Sequence, residues 1–302
     1  MTHNENIAPR CATIGFFDGV HCGHRYLISQ LRDDAARHGM ESLVVTFRQH
    51  PRQVLQQDYI PKLLTTSDRK EELLLATGVD HVTMLDFSLE LANLSARQFM
   101  SFLHDKYNVR RLLIGYDNRF GHNRDEGFED YRRHGIELGI EVECLDALQN
   151  NGTAVSSSMI RRLLNDGDVA AANVGLGYRY SFSGTVVHGF GEGRKLGFPT
   201  ANLHIADEQF VPKNGVYAVM VTVEGFEGEF MGMMNIGNRP TYGTFSDTLE
   251  VNIIDFDADI YDRQVQVAFV DRIRDVRKFD SVAQLQEQLA KDKNTIIKLL
   301  RQ

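Results

Sequence analysis

The sequence predicts an α/β protein in two parts, a Rossmann-like domain with a parallel sheet and then an antiparallel β-barrel with a terminal helix. Three observations predict it. Up to about residue 175, short apolar runs alternate with amphipathic segments, the pattern of a parallel sheet covered by helices. From 180 to about 269 the segments alternate in polarity and are broken by Gly, Asn and Asp, as in a small antiparallel sheet or barrel. Finally, 302 residues are too many for one comfortable core and suit two. The boundary falls after NVGLGY begins, near 175–179, which gives domains 1–177 and 178–302.

The first part's strands are CATIGFF, SLVVTF, HVTMLDF, RRLLIGY and IEVECLD. Between them, 26–38, 68–77, 96–107 and 128–138 carry apolar residues at helical spacing, and Ser95 with Gln98 is placed as a capping box. A doubly wound sheet of this kind binds ligands at the carboxyl ends of its strands. IGFFDGVHCGH lies at one such end and IGYDNRFGHNR at another. In the second part the strands are SFSGTVVHG, GVYAVMVTVEG, EFMGMMNIG, LEVNIIDF and QVQVAFV. The last stretch, 281–300, sets Val282, Leu285, Leu289, Ile296, Leu299 and Leu300 on a helical period and should pack on the barrel.

A net charge of -8 argues against a protein whose task is gripping nucleic acid. The start, MTHNENIAPR, lacks the apolar core of a signal peptide, and no run approaches the roughly 20 apolar residues that span a bilayer. Cys11, Cys22 and Cys144 are too scattered for a disulfide framework or a zinc site. These features predict a cytoplasmic enzyme or binding protein with neither nucleic acid nor membrane as partner.

IGFFDGVHCGH reads as a strand end, a turn punctuated by Gly15, Gly19 and Gly23, and a helix N-terminus carrying His21 and His24. Free backbone N–H groups and the positive end of the helix dipole make that turn an anion site. Two imidazoles three residues apart reach a transferring phosphoryl group together and stabilise charge on it and on its leaving group. A structural histidine pair and a His21–Cys22–His24 metal site are the alternatives; Cys22 points to a different helical face and no fourth ligand has matching spacing. Farther on, Ser156, Ser157 and Ser158 open a helix whose N–H groups suit phosphate, and Arg161 adds a fixed cation. An ordinary Ser-capped surface helix would look the same.

IGFFDGVHCGH resembles the strand-turn-helix signature of the nucleotidyltransferase superfamily. With Phe17, Asp18, Gly19 and Val20 it is similar in particular to the adenylyltransferase half of bacterial bifunctional riboflavin kinase/FAD synthetases, which implies ligand contacts for Gly15, Phe17, Asp18 and Gly19. IGYDNRFGHNR is similar to that family's Gly-x-Asp-x-x-Phe-Gly-x-x-Arg segment, which implies ligand contacts for Asp117, Phe120 and Arg124, and VSSSMIRRLL to its Ser-Ser-Thr-x-Ile-Arg segment. Three departures stand out: Asn118 where an aromatic is usual, Ser158 for Thr, and Met159 for a frequent Arg.

GFGEGRKLGFPTANL is a second phosphate signature. Gly189, Gly191, Gly193 and Gly197 allow close approach of backbone to ligand, Arg194 and Lys195 supply charge, and Thr200 and Asn202 present oxygens suited to Mg²⁺. A mobile hairpin loop has the same glycine count. The full string resembles the riboflavin kinase motif Gly-x-Pro-Thr-Ala-Asn; NIGNRPTYG, with Asn235 and Arg239, resembles a second motif and LEVNIIDF a third. The resemblance implies that Glu250 is the general base, that Thr200 and Asn202 help hold Mg²⁺ against ATP, and that 274–279, with Arg277 and Phe279, closes over the flavin. Asn252 replaces a histidine often found there. Taken together, these motifs predict a bifunctional enzyme that uses riboflavin, FMN and ATP and makes FMN and FAD. A flavin- or nucleotide-binding regulator without turnover has no need of Glu250. An adenylyltransferase for another phosphorylated small molecule leaves the barrel motifs unused.

Overall fold

The computed structural model describes residues 7–55, 61–116, 118–122, 125–146, 149–150, 153–189, 191–241 and 244–301. The chain divides into two compact units, Met1–Ser157 and Ser158–Gln302.

In the first unit the chain runs β1 (Arg10–Ile14), α1 (Cys22–His38), β2 (Glu41–Phe47), α2 (Pro51–Leu55), α3 (Ser67–Leu75), β3 (His81–Leu85), α4 (Leu89–Ala92), α5 (Ala96–Tyr107), β4 (Val109–Gly115), α6 (Phe128–Leu138), β5 (Glu141–Leu145), β6 (Gln149–Asn150) and β7 (Thr153–Ala154). β1 to β5 form a sheet in the order β3-β2-β1-β4-β5, with every pairing parallel. Strand order reverses at β1, so the crevice between the carboxyl ends of β1 and β4 is the topological switch point, where such sheets bind ligands. The strands are apolar because helices cover the sheet. Ala12, Ile14, Leu43, Val45, Leu112 and Ile114 pack with Phe99, Met100 and Leu103 of α5 and Tyr131 of α6 in one core. α5 starts where the capping box was expected: the Ser95 amide donates to Gln98 Oε1 at 2.9 Å and the Gln98 amide to Ser95 Oγ at 3.2 Å. α1 is tied to β4 by a buried ion pair, Arg111 Nε to Asp34 Oδ2 at 2.7 Å. The short α2 and α4 and the β6–β7 hairpin had no signal in apolar periodicity, since pieces of two to five residues are too short to repeat a period.

α7 (Ser157–Asp166) begins at the junction, and α8 (Val169–Leu176), β8 (Ser181–Val187), α9 (Glu192–Lys195), β9 (Ala201–His204), β10 (Gly215–Val223), β11 (Phe230–Thr241), β12 (Thr244–Ile253), β13 (Gln264–Arg274) and α10 (Val282–Leu300) follow. Six strands close a barrel in the order β10-β11-β12-β9-β8-β13, and β10 pairs with β13 to complete the ring. Five of these strands follow the alternating segments of the sequence. The sixth, β9, comes from the Ala-Asn-Leu-His end of the glycine-rich stretch, too short to show alternation. α10 lays Ile296 against Val216, Ala218, Met233 and Ile254 of the barrel, as its period predicted. No helix among the described residues is long and apolar enough to cross a membrane.

Candidate active sites

In the first unit the backbone after β1 is folded tightly. Phe17, Gly19 and Val20 take φ values of 54°, 78° and 36°, all in the left-handed region that costs an L-residue energy, most of all the β-branched Val20. Five hydrogen bonds hold this conformation. The buried Asp18 carboxylate accepts the Leu64 and Thr65 amides, each at 3.1 Å, and the Thr65 hydroxyl at 3.3 Å, while the Gly19 amide donates to Thr65 Oγ1 at 3.1 Å. Ser157 Oγ donates to the Asp18 carbonyl at 2.9 Å. The Phe17 ring folds back over Gly15, where a Cβ would lie 2.9 Å from Phe17 Cζ.

That backbone brings the two histidines together. His21 is the N-cap of α1, its Nδ1 accepting the His24 amide at 3.4 Å, which puts the proton of a neutral ring on Nε2. The His21 and His24 rings stack with centroids 3.6 Å apart, and Phe17 meets His24 edge-on at 5.1 Å. Burial, and then the neighbouring His21 and Lys70, hold His24 well below the usual histidine range, so its ring is neutral at pH 7. His24 Nδ1 is buried without a hydrogen-bond partner among the described residues. Among those residues, no group of three His, Cys, Asp or Glu is arranged to hold a metal, which leaves the His21–Cys22–His24 alternative without support.

Three residues expected to meet ligand face the protein instead. Asp18 spends its carboxylate on the Leu64–Thr65 backbone, and Phe17 is buried as a support for His24. Phe120 is 8% exposed and stacks on Tyr131 at 4.2 Å inside the core, because the chain after β4 turns its aromatic inward. Asn118 has a role that its sequence neighbours did not suggest: its side-chain amide donates to the Ile14 carbonyl, bridging the ends of β4 and β1. Asp117 and Arg124 lie outside the described residues. Ser156 and Ser157 end the first unit, whereas Ser158 and Arg161, both on α7, are counted with the second.

Lys70 is the residue that sequence reasoning missed. It lies on α3, 2% exposed, with Nζ donating to the Phe47 carbonyl at 2.6 Å and sitting 4.0 Å from the centre of the Phe16 ring. Burial pushes its pKa down to about 8, against the upward pull of Asp18. On a sequence-level helical wheel it is one more charge in Ser-Asp-Arg-Lys-Glu-Glu, and only tertiary packing distinguishes it.

In the second unit a polar row crosses the barrel. Asn235 of β11 pairs with Glu250 of β12, Glu250 with Asn202 of β9, and Asn202 with Val187 of β8. Directly opposed residues share a face of the sheet, so Asn235, Glu250 and Asn202 form one line of neighbouring side chains. The glycine-rich stretch is a helical turn, α9, rather than a plain loop, with Gly191 and Gly197 at φ 69° and 82° on either side of it. Its glycines make room: a Cβ on Gly193 would lie 2.4 Å from the Phe198 carbonyl oxygen, and one on Gly189 would lie 2.1 Å from Asn202 Nδ2. Thr200 is held beside Gly193, and Asn252, the residue standing in for histidine, donates to the Pro199 carbonyl at 2.6 Å and so braces the segment from below in sequence. Arg194 and Lys195 are exposed on α9. Neutral oxygens at Thr200 and Asn202, next to a carboxylate at Glu250, are the hard donors that suit an Mg²⁺ ion brought in by nucleotide phosphates.

Arg277 and Phe279 line a different feature, a cavity of about 270 Å³ against α10 that also includes Gln284, Gln288 and Lys291. The Arg277 guanidinium lies 4.8 Å from the Phe279 ring centre and donates to Gln288 Oε1. Glu250, Thr200 and Asn202 do not line this cavity. The Arg239 side chain lies outside the described residues.

The model of the FAD synthetase family matches residues 3–159, and that of the riboflavin kinase family residues 176–300. The chain is 37% identical over 297 residues to the bifunctional riboflavin kinase/FMN adenylyltransferase of Escherichia coli (strain K12), covering 97% of this chain and 94% of the relative. It belongs to the bifunctional riboflavin kinase/FMN adenylyltransferase family. A second family member, from Bacillus subtilis (strain 168), is 34% identical over 97% of this chain and 93% of its own. Among solved structures, one described as a macrolide-efflux protein from Streptococcus pneumoniae is 32% identical, with a TM-score of 0.87 over 98% of this chain and 97% of that one. The two family models follow the order of the parallel sheet and the barrel, so the riboflavin kinase/FMN adenylyltransferase family accounts for both parts of the fold.

Proposed function

We propose that the barrel phosphorylates riboflavin with ATP to give FMN, and that the N-terminal unit joins FMN to the AMP of a second ATP, releasing pyrophosphate. The observation that carries this reading is the presence in one chain of two dissimilar sites. One offers a carboxylate between two amides, Asn235–Glu250–Asn202, and the other a stacked imidazole pair at a helix N-terminus, where the Asp18 carboxylate is taken up by the Leu64 and Thr65 amides.

That difference matches the two reactions. Riboflavin offers a neutral hydroxyl, so Glu250 takes its proton as the oxygen attacks the γ-phosphorus of ATP and ADP leaves. Thr200 and Asn202 would hold Mg²⁺, which neutralises charge on the phosphates when bound, while Gly191, Gly193, Gly197, Arg194 and Lys195 receive the nucleotide. Asn235, Arg239, Arg277 and Phe279 are assigned to the flavin side. FMN already carries an ionised phosphate, so its attack on the α-phosphorus needs no base, only positioning and charge stabilisation. There the His21 Nε2–H and the His24 ring hydrogen-bond oxygens whose charge grows as pyrophosphate departs. Gly15, Gly19, Ser156 and Ser158 line the phosphate path, Arg161 supplies a cation, and Asp117 and Arg124 contact the flavin or nucleotide; Asp18, Phe17 and Phe120 hold the scaffold. We place the change of activity at residue 177 and the enzyme in the cytoplasm, where the thiols of Cys11, Cys22 and Cys144, none of them in a disulfide, stay reduced.

Incubating the purified chain with riboflavin, ATP and Mg²⁺ and separating the flavins tests the proposal. Both FMN and FAD are expected. Absence of FMN overturns the kinase assignment, and FMN without FAD overturns the adenylyltransferase one.

A further inference from the structure

A site for a triphosphate calls for positive charge, yet His24 is held neutral and His21 accepts a hydrogen bond on Nδ1. Burying a lysine beside it is costly, because an ammonium loses its hydration and an apolar side chain would fill the same space more cheaply. Lys70 is nonetheless buried at the carboxyl ends of β1 and β2, between the Phe16 ring and the Phe47 carbonyl, the end of the sheet at which ligands bind. The groups facing it are the Asp18 carboxylate from the β1–α1 loop, His24 from α1, and His50, whose ring meets Phe16 edge-on at 4.8 Å. β2 presents the Phe47 carbonyl. Arg25 touches the same loop, its Nε donating to the Val20 carbonyl at 3.2 Å.

We propose that Lys70 is a positioning residue for FMN adenylylation, its buried ammonium giving the β1–α1 loop the positive charge that its histidines do not carry. It acts through that loop and through His24 rather than by touching a ligand. The inference rests on the adenylyltransferase reading given above. Since Lys70 releases its proton near pH 8, the charge fades just above neutrality, and ATP should bind less tightly as it does. Because the folded pKa lies below the unfolded one, the burial penalty is full below pH 8 and shrinks as pH rises toward 10.5.

The test measures FAD formation from supplied FMN, with KM for ATP followed between about pH 7 and 9.5, in the wild type, Lys70→Met and Lys70→Arg. The wild type is expected to show KM rising through pH 8. Lys70→Met should have KM raised about tenfold at pH 7 with a smaller change in kcat and no further alkaline rise. Lys70→Arg should keep KM low and level, because arginine does not titrate. Thermal unfolding at pH 7 guards against a merely structural role: Lys70→Met should match or exceed the wild-type midpoint, and riboflavin phosphorylation should be unchanged. An unaltered KM in Lys70→Met, an alkaline rise that persists in it, or a lowered midpoint with kcat and KM lost together would overturn the inference. A wild type that makes no FAD at all would instead overturn the adenylyltransferase reading.

Discussion

The imidazoles of His21 and His24 lie face to face, their centroids 3.6 Å apart and their planes 19° from parallel. Two rings so close cannot both carry a proton cheaply, which is one reason why His24 stays neutral. The pair therefore works through hydrogen bonds rather than as a double cation. Loss of one such donor at a developing charge typically costs about 10²–10³ in kcat. His24→Ala and His21→Ala should each lower FAD formation from FMN by that order while leaving FMN formation from riboflavin intact, as separate assays of the two steps will show.

The neutrality of His24 also sets a pH dependence. Its pKa is lower folded than unfolded, so on acidification the unfolded chain takes up the proton first. The stability tied to this group is complete above about pH 6.5 and is lost progressively as pH falls toward the folded value. Between pH 7.5 and 5.5, thermal midpoints should drop more steeply for the wild type than for His24→Gln, which has nothing to protonate.

Asp18 illustrates what could be read from the chain and what could not. Its place in IGFFDGVHCGH marked it as part of the site, and the strand-turn-helix geometry around it is indeed present. Its direction was illegible, because the Leu64 and Thr65 amides that claim the carboxylate lie 46 and 47 residues away. Lys70 was hidden for the same reason, and so was β9, whose pairing with β12 and β8 rather than its own pattern makes it a strand. The sheet, the barrel and α10 were legible because their periodicities extend over whole elements. Asp18→Ala should leave buried amides unpaired at about 1–3 kcal/mol each and release a strained turn, so both the thermal midpoint and FAD formation should fall. Equal stability with activity lost would instead point to direct ligand contact.

Far from the histidines in sequence, Asp34 and Arg111 fasten α1 to β4. Both side chains are nearly inaccessible, at 2% and 6%; burial pushes the Asp34 carboxyl up, but the hydrogen bonds from Arg111 and Cys11 and the charge of Arg111 together hold it below the ordinary carboxylate range. Removing Asp34 leaves the buried Arg111 guanidinium with only the exposed Glu141 and Glu143 carboxylates as partners, and losing a partner in a buried pair costs about 3–5 kcal/mol. Asp34→Ala should therefore destabilise the first unit by roughly that amount in denaturant titrations. Arg111→Met with Asp34→Leu should recover most of the loss, since no charge is then left alone.

The last prediction concerns Glu250 and the glycine beside Thr200. Glu250 stands in register with Asn202 on one side and Asn235 on the other, so Glu250→Gln keeps the shape of the row and removes only the base. A general base contributes about 10²–10⁴ to rate, and FMN formation should fall by that order with KM for riboflavin little changed. Gly193→Ala attacks the same step by a different route. Its Cβ would come within 2.4 Å of the Phe198 carbonyl oxygen, a backbone atom that cannot swing aside, so the segment leading to Pro199 and Thr200 must shift. Because that segment carries Thr200 into place, KM for ATP in the kinase reaction should rise along with the loss of kcat, whereas Glu250→Gln should leave it alone. FAD formation from supplied FMN should survive both changes. Steady-state kinetics of each step on the two variants separates loss of proton transfer from loss of phosphate positioning; an identical kcat and KM pattern in the two would contradict the division of labour between Glu250 and the glycine-rich turn.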